Sequence, residues 1–207
     1  MNYAFFELLS SVFTRILFLI VGFKYQSLYV CGVLLYWCSY IIYRYLSNNT
    51  IFKIWGLYEP STIYKSLLYT GVICLGLCIV LYNYIRSFYI TKNLYISFVL
   101  YPLWGIAQQF LLQSMVLSNI IKLYKITHGI SLQLLILFLS CLFGYVHKYI
   151  PVLIVPTILW GYISSNLYLQ FHNIIPIGIC QGILATLLFY GVLHIDVLKN
   201  IIQPLKI

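Results

Sequence analysis

Apolar residues run along this chain in long unbroken stretches, not in the one-faced or alternating patterns of soluble elements. Seven stretches approach the roughly 20 residues an α-helix needs to cross about 30 Å of hydrocarbon. They cover about 4–23, 26–43, 66–85, 94–118, 130–147, 151–168 and 174–195. None alternates with period two, which excludes a membrane β-barrel, and only internally hydrogen-bonded helices remain to span lipid. The pattern predicts an all-α, polytopic membrane helix bundle of about seven transmembrane helices (six to eight), with residues 1–207 forming a single membrane domain.

Two places disturb the pattern. Glu7 and Arg15 interrupt the first run, which is either a span whose charges face the bundle or an interfacial helix. No basic segment precedes that run and no small-x-small site follows it, so it is expected to be retained and not cleaved as a signal peptide. The longest gap, 44–65, holds Ser47-Asn48-Asn49-Thr50 and Glu59-Pro60-Ser61, which is turn and helix-start chemistry. It is the segment expected at the surface.

Composition agrees with lipid as the solvent. The chain is 63% hydrophobic and 7% charged, with three acids against twelve bases, too few to coat a water-soluble globule or to keep a disordered chain solvated. The formal charge of +9 is scattered, with no basic stripe, so no nucleic-acid partner is expected. Most bases fall between apolar runs, at headgroup level. With seven spans the two sides carry Arg44, Lys53, Lys65, Lys122 and Lys125 against Lys24, Arg86, Lys92, Lys148, Lys199 and Lys206, a balance that gives the positive-inside rule nothing to act on. Tyr43, Tyr45, Trp55, Tyr82, Tyr84, Tyr89 and Tyr149 lie near span ends, as aromatic belts do. The six cysteines all sit in apolar runs and read as small hydrophobes. Cys74 and Cys78 share a helix face, but only apolar residues flank them, so neither a metal nor another cofactor is expected.

Polar groups inside apolar runs are costly unless partnered, so they point to a working site. The fourth run holds Gln108, Gln109 and Gln113. At about 100° per residue Gln109 and Gln113 share a face and Gln108 lies to one side of it. The last run holds Gln181 between Gly178 and Gly182, a small-xxx-small pair that lets another helix come close. The fifth ends in Phe143-Gly-Tyr-Val-His147-Lys148, where the histidine is either an interfacial residue or part of the same site. Interhelical hydrogen-bond glue is the simpler reading of the glutamines, and a shared site is the other. His128, His172 and His194 are expected to be solvated or interfacial. The signatures of soluble hydrolases and phosphate loops are absent.

The spacing of these polar positions resembles the CPBP (CAAX protease and bacteriocin-processing, or Abi) superfamily of intramembrane endopeptidases. That family carries E-E-x-x-x-R, then F-x-x-x-H, then H-x-x-x-N or a small-residue variant on successive spans. Here Gln108-Gln109-x-x-x-Gln113 falls in register with the first motif, Phe143-x-x-x-His147 matches the second, and Gln181-x-x-x-Ala185, after Pro176, takes the place of the third. The similarity covers about residues 94–195 and identifies the chain as a divergent member, with both glutamates, the arginine and one histidine replaced.

The resemblance implies a glutamate as general base, histidines that position water or the scissile carbonyl, and a polar group on the oxyanion. A glutamine amide can orient water but has no useful basicity. Catalytic candidates are therefore His147 as the base, with Gln108, Gln109, Gln113 and Gln181 as donors. Two readings follow: a degenerate member that keeps a membrane cavity for a hydrophobic or lipidated peptide or a membrane protein, or a weakly active peptidase. A third, from another class, is a small transporter or channel subunit whose amides line a polar path. The resemblance also implies the bacterial inner membrane. Gln108, Gln109, His147 and Gln181 are expected to border one buried cavity.

Overall fold

The computed structural model describes residues 3–17, 26–57, 59–85, 87–126, 128–148, 150–196 and 198. Lys24, Arg86, Tyr149, Lys199 and Lys206, together with the side chain of Arg15, lie outside the described residues. Every regular element among the described residues is helical, as the unbroken apolar runs require. In chain order they are α1 (Tyr3–Leu17), α2 (Gln26–Ser47), the short α3 (Ile51–Ile54), α4 (Ile63–Tyr82) and α5 (Lys92–Gln109). A π-helical stretch, Phe110–Leu117, carries α5 on into α6 (Ser118–Tyr124). Then follow α7 (Gly129–Tyr145), α8 (Ile154–Phe171) and α9 (Ile174–Leu187), the last extended by a π-helical turn at Leu188–Val192.

Four helical segments are long and apolar enough to cross a membrane: Ile63–Tyr82, Lys92–Tyr124, Pro151–Phe171 and Ile174–Val192. They correspond to the third, fourth, sixth and seventh apolar runs. The first and fifth runs form apolar helices too short for that measure, and the 17 residues of α7 rise only about 26 Å.

The distribution of side chains is inverted relative to a soluble bundle. Leu68, Val72 and Leu75 of α4 and Ile130, Leu134 and Phe138 of α7 face outward, while Ser97, Gln109, Gln113, Ser140, Ser164, Ser165 and Thr186 are buried. On α1 the outward stripe is Phe5, Leu9, Val12, Phe13 and Ile16, and the inward face carries Glu7 and Ser11. An apolar exterior this continuous fits contact with acyl chains and not with water.

Glycine sets the tightest helix pair. A Cβ added to Gly105 on α5 would lie 2.2 Å from the Gly178 carbonyl oxygen of α9, and one on Gly182 would lie 2.2 Å from the Pro102 nitrogen. Backbone therefore meets backbone, as the Gly178/Gly182 spacing predicts, and the side chains beside the glycines are driven together.

The segment expected at the surface between α2 and α4 departs from expectation. Its polar turns, Asn48 and Ser61, are exposed, but Ile51, Trp55 and Gly56 are buried. The backbone explains why. The Gly56 carbonyl accepts from the Ile174 N–H at 2.7 Å, and the Trp55 carbonyl accepts from Tyr168 Oη at 3.2 Å and from Ser114 Oγ. Asn173 closes the other end: its Oδ1 accepts from the Glu59 N–H at 2.8 Å while Nδ2 donates to Thr62 Oγ1 at 2.6 Å. Gly56 is required there, since its φ is +64° and a Cβ would meet Tyr168 Cε2 at 2.7 Å. Trp55, expected in an aromatic belt, instead packs inside against Phe110, whereas Tyr43, Tyr45, Tyr82, Tyr84 and Tyr89 are exposed near helix ends.

Candidate functional site

The close approach of α5 and α9 puts the glutamines of two apolar runs within bonding distance. Gln109 Nε2 donates to Gln181 Oε1 at 2.6 Å, Gln113 Nε2 donates to Gln109 Oε1 at 2.9 Å, and Gln181 Nε2 donates to Gln108 Oε1. The π-helical stretch begins immediately after Gln109 and contains Gln113, whose Nε2 also reaches Ser165 Oγ at 3.1 Å and Ser164 Oγ at 3.3 Å on α8. The third helix adds one more donor: Trp160 Nε1 reaches Gln181 Oε1 at 3.1 Å. Gln109 and Gln113 are fully buried, whereas Gln108 and Gln181 are half-buried. Widened π turns recur where a helix is adapted to a task, and here one delivers an amide to α8.

The cluster is neutral. Its hydrogen-bond partners are amides, hydroxyls and an indole, so it can orient a carbonyl or a water but cannot remove a proton from one. One polar atom is left over: Gln113 Oε1 is buried without a hydrogen-bond partner. An acceptor in that state costs about 1–3 kcal/mol.

His147 is placed differently. Its Nδ1 donates to the Phe143 carbonyl at 3.0 Å, one turn back along its own chain, and its ring meets the Phe143 ring edge-on. Among the described residues the glutamines bond to one another, to Ser164, to Ser165 and to Trp160. The ammonium of Lys148 beside it lies 5.1 Å from the Tyr145 ring, an arrangement common at a membrane interface. The amides close on one another, and an open groove of about 490 Å³ between α7 and α8 is lined instead by Gly129, Ile130, Gln133, Leu134, Leu137 and Tyr162. Of the other histidines, His172 is held by the Ile54 carbonyl at 3.2 Å and packs against Tyr168. Among the described residues no group of three or more histidine, cysteine or acidic side chains could hold a metal ion.

A second buried polar centre was not legible as a unit in the sequence. Glu7 of α1 is 3% exposed. Its Oε1 accepts from Tyr40 Oη at 2.9 Å and Trp55 Nε1 at 3.3 Å and pairs with Arg44 Nε at 3.5 Å, while Oε2 accepts from Asn119 Nδ2 at 3.0 Å. The Arg44 guanidinium stacks 3.7 Å above the Tyr3 ring. A lone acid in an apolar run is the signal: Glu7 faces the bundle, from a helix shorter than the candidate spans. Its four partners come from α2, α6 and the buried loop, at separations of 33 to 112 residues.

No protein-family model matches the chain, and no curated protein or solved structure matches it significantly.

Proposed function

We propose that this chain is a polytopic membrane protein of about seven spans, a catalytically degenerate relative of the CPBP intramembrane endopeptidases. In this reading it retains a hydrogen-bonding site for a hydrophobic or lipidated peptide within the bacterial inner membrane. The observation that supports it is the convergence of Gln108, Gln109, Gln113 and Gln181 from α5 and α9 into one connected set. Simple glue needs one amide pair, worth about 0.6 kcal/mol in a membrane, and does not call for four amides in series. Among the described residues their partners are amides, hydroxyls and an indole, which favours binding over hydrolysis, because general-base catalysis would have to supply about 10²–10⁴-fold. The same feature weakens the alternative in which His147 is the base and the glutamines position water.

Purified protein in lipid nanodiscs, offered a photoreactive S-acylated peptide and a fluorogenic membrane peptide, tests the reading. The expected result is specific cross-linking, reduced by Gln181→Leu, with no turnover. Turnover abolished by His147→Ala would establish the peptidase reading instead, and failure to cross-link would reject peptide binding.

A further inference from the structure

The hydrogen bonds of the amide cluster have a direction, and a residue outside the cluster fixes it. An indole N–H can only donate. The Gln181 atom 3.1 Å from Trp160 Nε1 must therefore be its carbonyl oxygen. That oxygen is also 2.6 Å from the Gln109 amide, which must present its nitrogen, so the Gln109 oxygen is turned toward Gln113 and meets a nitrogen there at 2.9 Å. On the other side the Gln181 nitrogen faces the Gln108 oxygen. The far end agrees with this direction: the Ser164 and Ser165 hydroxyls donate to the Gly161 carbonyl, at 3.1 and 2.8 Å, and accept from Gln113 Nε2. Reversing the chain would set N–H against N–H at Trp160.

All four amides are thus aligned, with the unpartnered acceptor buried at Gln113 Oε1 and the terminal donor at Gln108 Nε2. Gln108 is half-buried and joins the cluster through its oxygen, so among the described residues its Nε2 donates in none of the cluster's hydrogen bonds. Aligned amides polarise one another by about 10–30% per bond, so the terminal N–H at the Gln108 end is a stronger donor than an isolated glutamine. It suits a carbonyl oxygen and disfavours an ammonium or metal cation. We infer that Trp160 is a positioning residue that holds the amide chain in this direction, making Gln108 Nε2 the donor that meets the ligand, and that the ligand presents an amide or ester carbonyl. This rests on the binding reading above and adds to it the atom, the ligand chemistry and the residue that sets them.

The test uses the full chain in nanodiscs with two photoreactive probes of equal length, a long-chain N-alkyl amide and the ether analogue that lacks the carbonyl. Wild type should favour the amide by about fivefold, the effect of one net hydrogen bond. Trp160→Phe keeps an aromatic ring and removes the N–H, and should bring the ratio close to one by lowering labelling with the amide probe alone. Gln108→Leu, at the half-buried end, should likewise lower amide-probe labelling to the level of the ether, and keeps the test readable if the first variant folds poorly. Equal labelling of wild type by both probes overturns the inference and leaves the binding reading standing, as does a ratio that survives both substitutions. Labelling by neither probe overturns both.

Discussion

The two buried polar centres solve the same problem in opposite ways. Around Glu7 a carboxylate is taken out of water and both of its oxygens are engaged: a guanidinium, a phenol, an indole and an amide are aimed at them, although Arg44 Nε, 3.5 Å from Oε1, makes no hydrogen bond. Among the glutamines no charge is present, the bonds run in series, and Gln113 Oε1 at one end is buried without a partner. The charged centre fastens α1, α2, α6 and the 51–62 loop to each other, whereas the neutral centre lies along the glycine-packed seam of α5 and α9. The charged centre is a clasp between elements; the neutral one is the centre on which the binding reading proposed above rests.

The largest effect should come from breaking the clasp. Glu7→Leu leaves Arg44 buried without its counter-charge, and loss of one member of a buried pair costs about 3–5 kcal/mol. Thermal unfolding in detergent should show it, with earlier proteolysis near α1. Glu7→Gln keeps an acceptor for Tyr40 and should lose less. If both variants melt with wild type, Glu7 is not buried as described.

Next comes the seam. Gly182→Ala drives a methyl into the Pro102 backbone, which cannot swing aside as a side chain could, and overpacking of that kind costs about 1–3 kcal/mol. Gly71→Ala on α4, where an added Cβ meets nothing within 4 Å, is the control and should be neutral. Equal behaviour of the two would remove the α5–α9 contact on which the glutamine cluster depends. The double change Gln108→Glu with Gln109→Glu sharpens the comparison from the other side. It brings charge into the neutral centre without the donors that surround Glu7, and should lower stability while yielding no measurable hydrolysis of a fluorogenic membrane peptide.

The smallest effect lies outside the helices. Ser61 Oγ donates to Glu59 at 2.9 Å and Lys53 Nζ lies 3.2 Å away, and these hold the Glu59 carboxyl below the ordinary carboxylate range. A group with a lowered native pKa adds stability above its unfolded value and loses it as pH falls through the native one. The 51–62 loop should therefore loosen slightly at acid pH, and Ser61→Ala should reduce that dependence. Proteolysis of the loop followed against pH is the check.

What the sequence reveals divides along the range of the interactions. Continuous apolar runs suffice to exclude strands and to place α4, α5, α8 and α9, because the solvent itself dictates them. The Gly178/Gly182 spacing and the glutamines beside it are legible for the same reason: small or polar residues in an apolar run must be turned toward protein. The loop at 51–62 is not. Its local turn signals at Asn48 and Pro60 are genuine, but its burial depends on Tyr168, Asn173 and Ile174, more than 100 residues away, whose carbonyl and amide partners carry no sequence signal. For His147 the motif fixes only spacing along a helix, and the structure shows its Nδ1 bonded to the Phe143 carbonyl one turn back.

The central claim is that amides from α5 and α9 bond directly to each other inside the bundle. A double-mutant cycle on Gln109→Leu and Gln181→Leu, read by unfolding in bicelles, tests it most directly. The account predicts a coupling of about 0.6 kcal/mol or more, up to the roughly 1.7 kcal/mol seen for the strongest interhelical bonds. Additive losses, with no coupling between the two positions, would contradict it.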